Sequence, residues 1–456
     1  MMKKNVVSVL LTGVVAASML AGCGSSSSSS DTAATTAATE AAAETATDAA
    51  AADDAAAADT EAASTVSTDP ATYDGKEVKV WVADNIVDFT NDEIAKFQEA
   101  YPQYAGVTFT VEPVGEGDAA SNVITDVEGS ADVFGFAQDQ IARLVSAGAL
   151  EEVNPDYVDD VKSRNDEGSV NAATVGDTLY AYPLTSDNGY FLYYDSSVVT
   201  DPSDLDQIIA DCEAAGKNFY FEINSGWYQT SFFFGTGCTL TYDTDSDGNF
   251  TNCNVDYASD KGVVALKEMI KLASSKSFQN GSSAGDATNY AAIVDGTWDV
   301  DTVKQAFGDN FACAKLPSFT GSDGNTYQLS GFSGYKLLGV KPQEDEDKLQ
   351  ICDDLANYLS GEEAQLARYQ SVAWGPSNTN DQQNADVQAD VALAALNDQM
   401  QYDVPQGQYP GDYWTLATGL GDDVIQGNLT SDTSDDDLMA ALQTFQDTCI
   451  SYASAQ

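Results

Sequence analysis

Histidine is missing from all 456 residues of this chain. That removes Ser–His–Asp and Cys–His catalysis, histidine metal sites and the commonest general base at once. Arginine is nearly missing, with Arg143, Arg164 and Arg368 the whole supply. A phosphate or carboxylate ligand gripped by guanidinium forks is therefore disfavoured. Positive charge is scarce in general: 19 Lys and Arg stand against 72 Asp and Glu, a net charge of −53. Binding to nucleic acid depends on Lys and Arg displacing counterions, so no nucleic acid partner is expected. The acid excess could attract cations, but its ordinary effect is solubility. No C-x-x-C spacing occurs among the seven cysteines, so a cysteine metal site or redox dithiol lacks support.

What is present begins with an export signal. Lys3 and Lys4 precede an apolar run over residues 6–20 that is short for a membrane span and ends in small residues. Leu20-Ala21-Gly22-Cys23 resembles the bacterial lipobox, which implies cleavage after residue 22 and lipidation of Cys23. Acyl chains at about 0.8 kcal/mol per buried methylene would hold the protein to the outer face of the cell membrane. Residues 25–72 are almost wholly Ser, Ala, Thr, Asp and Glu, with nine acids, no base and no aromatic residue. With nothing to bury, residues 23–72 read as a lipidated, disordered acidic tether whose mean reach is roughly 40 Å.

The remainder is too long for one simple core, so two lobes are expected. Glu77–Val82, 107–111 and 132–136 read as strands, and 92–100, 119–128 and 141–147 as helices. This β-α-β-α-β order argues an α/β fold with a mainly parallel sheet. In such sheets ligands collect beyond the carboxyl ends of the strands, which here carry Asp84-Asn85 and Gln138-Asp139-Gln140. Residues 176–196, GDTLYAYPLTSDNGYFLYYDS, hold two strand-like runs around the polar joint 185–188. A core hairpin would put Gly and Asn in a tight turn here, and Thr-Ser-Asp-Asn instead reads as a passage from one lobe to another.

Four tryptophans, Trp227, Trp298, Trp374 and Trp414, sit beside Gly or turn residues, whereas Trp81 lies inside a strand pattern and reads as core. A sugar ring offers an apolar C–H face and a hydroxyl edge. It stacks on aromatic planes and bonds to carboxylates and amides, the residue types found near these tryptophans.

Several segments in order resemble the extracellular solute-binding proteins typified by maltose-binding protein: KEVKVWVAD, ADVFGFAQDQIARLVSAGALEEVNPD, GDTLYAYPLTSDNGYFLYYDSSVV, AAIVDGTWDV and CAKLPSF. The resemblance implies two α/β lobes, residues 73–186 plus 319–371 and residues 187–318 plus 372–456. Hinges would fall at 185–188, 314–318 and 371–377. By position, Phe136, Asp139 and Gln140 match the cleft segment of lobe one. Asp187 or Asn188 matches an acidic contact at the hinge. Trp227-Tyr228, Trp298 and Tyr413-Trp414 match aromatic positions of lobe two. The set resembles a sugar site, though not specifically a maltose site. The implied function is capture of a mono- or oligosaccharide by a monomeric lipoprotein without cofactor, and delivery to the permease subunits of an ABC importer. A receptor for polyamines or other cations is the alternative. A secreted glycoside hydrolase is the other class, since paired carboxylates suffice for its chemistry.

Two local motifs stand apart. Asp243, Asp245 and Asp247 followed by Gly248 have the spacing of a calcium loop, but the twelfth position is Asn254 and no flanking helices are evident. Turn residues of a hairpin explain the pattern without metal. Cys238 and Cys253 flank this turn and are the best candidates for a disulfide, with buried free thiols as the alternative.

Overall fold

The computed structural model describes residues 67–454 apart from Ser246, within a compact unit that begins at Ser64. The signal segment, Cys23 and most of the tether lie outside the described residues.

Alternation builds the first sheet. Val78, Val80 and Val82 of the strand Glu77–Val82 are buried, while Glu77, Lys79 and Trp81 between them are not. This strand pairs in parallel with Thr108–Pro113 on one side and Val133–Ala137 on the other. The helices Val87–Ala100 and Glu116–Thr125 make the crossovers that parallel neighbours require. The sheet is completed by Lys336–Val340, antiparallel to Val133–Ala137, and then by Tyr182–Thr185. The second sheet repeats the plan. Phe278–Gln279, Asn218–Tyr220 and Tyr290–Asp295 run parallel, and Phe191–Asp195 and Phe311–Ala314 follow antiparallel. The antiparallel strand Lys336–Val340 arrives from far along the chain, so local periodicity does not reveal it.

Each sheet has its own core. Val80, Phe134, Phe136, Leu338 and Leu355 belong to the first. Phe219, Phe232, Met269, Phe319 and Phe445 belong to the second, which the helices Asp260–Ala273 and Asp435–Ser454 cover. Part of the acid excess is structural. Asp166, Asp204, Asp345 and Asp390 accept backbone N–H bonds at helix starts, where the helix dipole favours a carboxylate.

The passages between lobes depart from the expected boundaries in two places. The first lies between the strands Tyr182–Thr185 and Phe191–Asp195. The second comes later than 314–318. Phe319, Leu329 and Phe332 are buried in the second core, and the chain rejoins the first sheet only at Lys336. The third starts within 371–377 and ends beyond it. Ala373 already packs against the cluster beside the second sheet while Trp374 packs in the first core, Ser377 and Asn378 bond to Gln365, and the chain returns to that cluster at Ala392.

The expected disulfide is absent. Cys238 and Cys253 are free buried thiols, because the hairpin register sets Cys253 opposite Tyr242 and leaves Cys238 ahead of the strand Leu240–Thr244. At the hairpin tip, the Asp245 carboxylate accepts the backbone N–H bonds of Asp247 and Asn249. Among the described residues no group of three or more acidic or cysteine side chains is placed to hold a metal ion.

Candidate functional site

A cavity of about 640 Å³ opens where the first three strands end. Ala83, Asp84 and Asn85 follow the first strand, residues 115–118 follow the second, and Ala137, Asp139 and Gln140 close the third. The far wall comes from elements of the second core: Trp227, Trp298, Asp299, Gln406 and Trp414. Asn188, Lys336 and Trp374, near the passages between lobes, complete the lining.

Glycine lets the tryptophans lie where they do. A Cβ on Gly296 would stand 2.1 Å from the Trp298 ring, and one on Gly226 would stand 3.2 Å from Trp414. The Trp227 and Trp298 rings are 5.9 Å apart and tilted by 42°. The Trp227 indole N–H donates to the Gln406 side-chain oxygen at 3.1 Å, and Tyr190 and Tyr228 pack edge-on against the ring at 4.6 and 4.9 Å, which together fix its plane. Trp374 is almost wholly buried beneath Lys336, whose ammonium stands 3.5 Å from its ring centre.

Of the residues expected at the site, Asp84, Asn85, Asp139, Gln140, Asn188, Trp227, Trp298, Trp374 and Trp414 line this cavity. Four others do not. Phe136 points to the other face of its strand and packs on Phe134, because alternation gives the cleft side to Gly135 and Ala137. Tyr228 and Tyr413 lie behind Trp227 and Trp414 as buried edge-on supports, and the Tyr413 hydroxyl donates to the Gly226 carbonyl at 3.0 Å. Asp187 turns away from this cavity. Its carboxylate accepts from the Thr297 hydroxyl at 2.6 Å and the Gly375 N–H at 2.7 Å, and it lines a separate cavity of about 350 Å³.

The polar groups in the lining divide by use. The Gln140 amide is consumed locally, accepting from Ala120 N–H and donating to the Glu116 and Gly117 carbonyls, so it shapes the loop before the helix Glu116–Thr125. Asp139 is buried, and burial pushes its carboxyl up to about 7 against the lowering field of Arg143. Burial likewise raises the Glu116 carboxyl, with Lys336 opposing.

Glu116, Asp118, Asp299, Lys336 and Gln406 line the cavity without having been singled out from sequence. Asp299 follows Trp298 directly, and Glu116 and Asp118 lie just beyond the second strand, so extending the strand-end rule to that strand would have found them. Lys336 and Gln406 carry no local signal.

These features define a two-lobed α/β binding protein with an aromatic cleft between its lobes. The family model for bacterial extracellular solute-binding proteins matches residues 92–395, and the chain belongs to that family. The family's task is binding, and the chain is a binding protein, not an enzyme. A protein solved with acarbose is similar to the chain at 27 % identity and a TM-score of 0.72, over 83 % of this chain and 99 % of that one. The maltodextrin-binding protein of L. casei BL23 gives 24 % identity and a TM-score of 0.65, over 83 % and 98 %. The GacH receptor of Streptomyces glaucescens, solved unliganded and with acarbose, gives 18 % identity and a TM-score of 0.68, over 82 % and 98 %. No curated protein matches the chain. Among the described residues, no helix is long and apolar enough to cross a membrane.

Proposed function

We propose that this chain is the carbohydrate receptor of an ABC importer, tethered outside the cell membrane through lipidated Cys23 and delivering its ligand to permease subunits. The observation that carries the reading is the cavity lining, with four tryptophans set among amides and carboxylates from both lobes. Flat aromatic faces bordered by fixed polar groups suit a ring that is apolar on its faces and hydroxylated at its edge. The solved relatives named for maltodextrin and acarbose point to the same ligand class. Asp84, Asn85, Asp139 and Asn188 would bond hydroxyls, while Trp227, Trp298, Trp374 and Trp414 would stack or wall the rings.

Five carboxylates in the lining favour a second reading, a receptor for polyamines or other cations. A thermal-shift panel of neutral oligosaccharides and spermidine separates the two, because a ligand that binds only the folded state raises the melting temperature. Stabilisation by a neutral sugar is the expected result. Stabilisation by spermidine alone would sink the carbohydrate reading.

A further inference from the structure

One cation stands among the cavity's acids, and it is buried. Lys336 is 3 % exposed, and its ammonium has no hydrogen-bond partner and enters no ion pair among the described residues. It rests on the face of Trp374 at 3.5 Å and lies 5.0 Å from the ring centre of Trp298. The fold puts it there. Lys336 pairs with Ala137 and Leu338 with Gly135, and the register against Tyr182–Thr185 slips between Lys336 and Leu337, a bulge of the kind that re-aims a side chain.

The same sheet face holds its counterpart. Directly opposed residues of an antiparallel pair share a face, so Gly135 and Ala137 lie on the side of Lys336. Gly135 has no side chain, and Glu116 fills the space above it, with its Oε1 3.8 Å from where a Cβ would stand. Glu116 and Lys336 are close enough for the ammonium to lower the carboxyl's pKa, yet they do not close into an ion pair.

We propose that Lys336 and Glu116 form a donor–acceptor clamp for adjacent hydroxyls of an uncharged sugar, rejecting both cationic and anionic ligands. This deepens the carbohydrate reading and rests on it. An ammonium only donates and a carboxylate only accepts, so a group held between them has to do both. A hydroxyl does. A polyamine drawn to Glu116 would place its own ammonium against Lys336, and a uronate drawn to Lys336 would face Glu116. Beside a buried ammonium, either repulsion is screened less than in bulk water. Asp84 and Asp118 lie exposed in the lining, where water screens them, whereas Lys336 is buried and Glu116 half-buried, so this pair is screened less.

The test is calorimetric titration of the full-length protein, Lys336→Met and Glu116→Gln. The ligands are neutral oligosaccharides with glucose, galactose, mannose and xylose backbones, together with spermidine and digalacturonate. Wild type is expected to bind a neutral oligosaccharide and neither charged probe. Each variant should lose about ten- to a hundredfold of that affinity. Lys336→Met should gain spermidine binding and Glu116→Gln digalacturonate binding, with circular dichroism showing both folded. Neutral binding by wild type with both variants unchanged in affinity and selectivity overturns the clamp alone. If either variant fails to fold, Lys336→Leu and Glu116→Ala, which also remove the charged donor and acceptor, decide, and an unchanged affinity and selectivity in both again overturns the clamp. Wild-type binding of digalacturonate overturns the clamp and leaves a sugar receptor. Binding of spermidine without any neutral saccharide, or of nothing in the panel, overturns the carbohydrate reading and the clamp together.

Discussion

The Asp187 carboxylate accepts the backbone N–H of Gly375 at 2.7 Å, and this bond ties the first passage between the lobes to the third. Two neighbours extend the tie. Ser186 N–H donates to the Gly375 carbonyl, and Asn188 N–H donates to the Gly334 carbonyl of the second passage. All three passages therefore meet at residues 186–188, where rotation of one lobe against the other would be absorbed. Asp187→Ala leaves the Thr297 hydroxyl and the Gly375 N–H without their acceptor. Each buried donor so stranded costs about 1–3 kcal/mol, so urea melts should show a loss of about 3 kcal/mol. Sugar affinity should fall less than tenfold, because the side chain is not in the cavity wall. Asp187→Asn, which keeps an acceptor oxygen, should recover part of the loss.

Trp298 is the aromatic residue whose removal should cost most in binding. It stands between Trp227 and Lys336, over a glycine that admits no other side chain. Trp298→Ala removes a stacking face and should weaken sugar binding about ten- to a hundredfold by titration calorimetry. Trp298→Phe should restore most of it. A loss of less than twofold in the alanine variant would remove this ring from the site.

The aromatic half of the site was legible in the sequence, and its reason is local. A tryptophan next to glycine, outside any apolar period, marks a ring laid against a turn, and the adjoining glycine is what lets the ring lie flat against backbone. The carboxyl-end rule likewise reached Asp84, Asn85 and Asp139, because the strands before them alternate clearly. The rule misplaced Phe136, whose position on the sheet face depends on a one-residue register that apolar content alone does not fix. Lys336 was illegible for a different reason. A lysine opening an apolar strand reads as a solvated strand end. Only the pairing with Val133–Ala137, made across a long stretch of chain, turns it inward. The lobe boundaries slipped for a similar cause: Pro317 marks a break in the chain, but Phe319 beyond it still belongs to the second core.

Stability should fall as pH rises from 4 to 8. Burial holds the carboxyls of Asp139 and Asp353 up to about 7, above the ordinary aspartate value. Between the unfolded and the folded pKa the native state holds more protons than the unfolded one, so unfolding free energy decreases with pH in that window. Below about 4 both states are protonated and the effect vanishes. Calorimetric scans should therefore show a higher melting temperature at pH 5 than at pH 8. Asp139→Asn should narrow the difference by stabilising the protein at pH 8 while leaving pH 4 unchanged. Equal shifts at both pH values would mean that the Asp139 carboxyl is not buried in its charged form.

The hairpin joining Leu240–Thr244 to Phe250–Val255 reaches across from the second lobe to the first. A Cβ on Gly248 would stand 2.2 Å from the Ala142 carbonyl oxygen, and the Ser146 hydroxyl donates to the Asn249 side chain at 3.0 Å. Gly248 also has φ near +80°, a backbone region that side chains disfavour. Gly248→Val should thus lift the tip from the helix Ile141–Ser146 and loosen this contact between the lobes. The expected result is a threefold to tenfold faster ligand release in stopped-flow fluorescence, with the association rate little changed, since loss of a remote contact acts mainly on koff. Calcium should have no part in this. The Asp245 carboxylate is already turned onto the N–H groups of Asp247 and Asn249, so millimolar calcium should leave both the release rate and the melting temperature where they are. A calcium-dependent slowing of release would show instead that the tip opens to take an ion, and the acidic turn would become part of the closing mechanism.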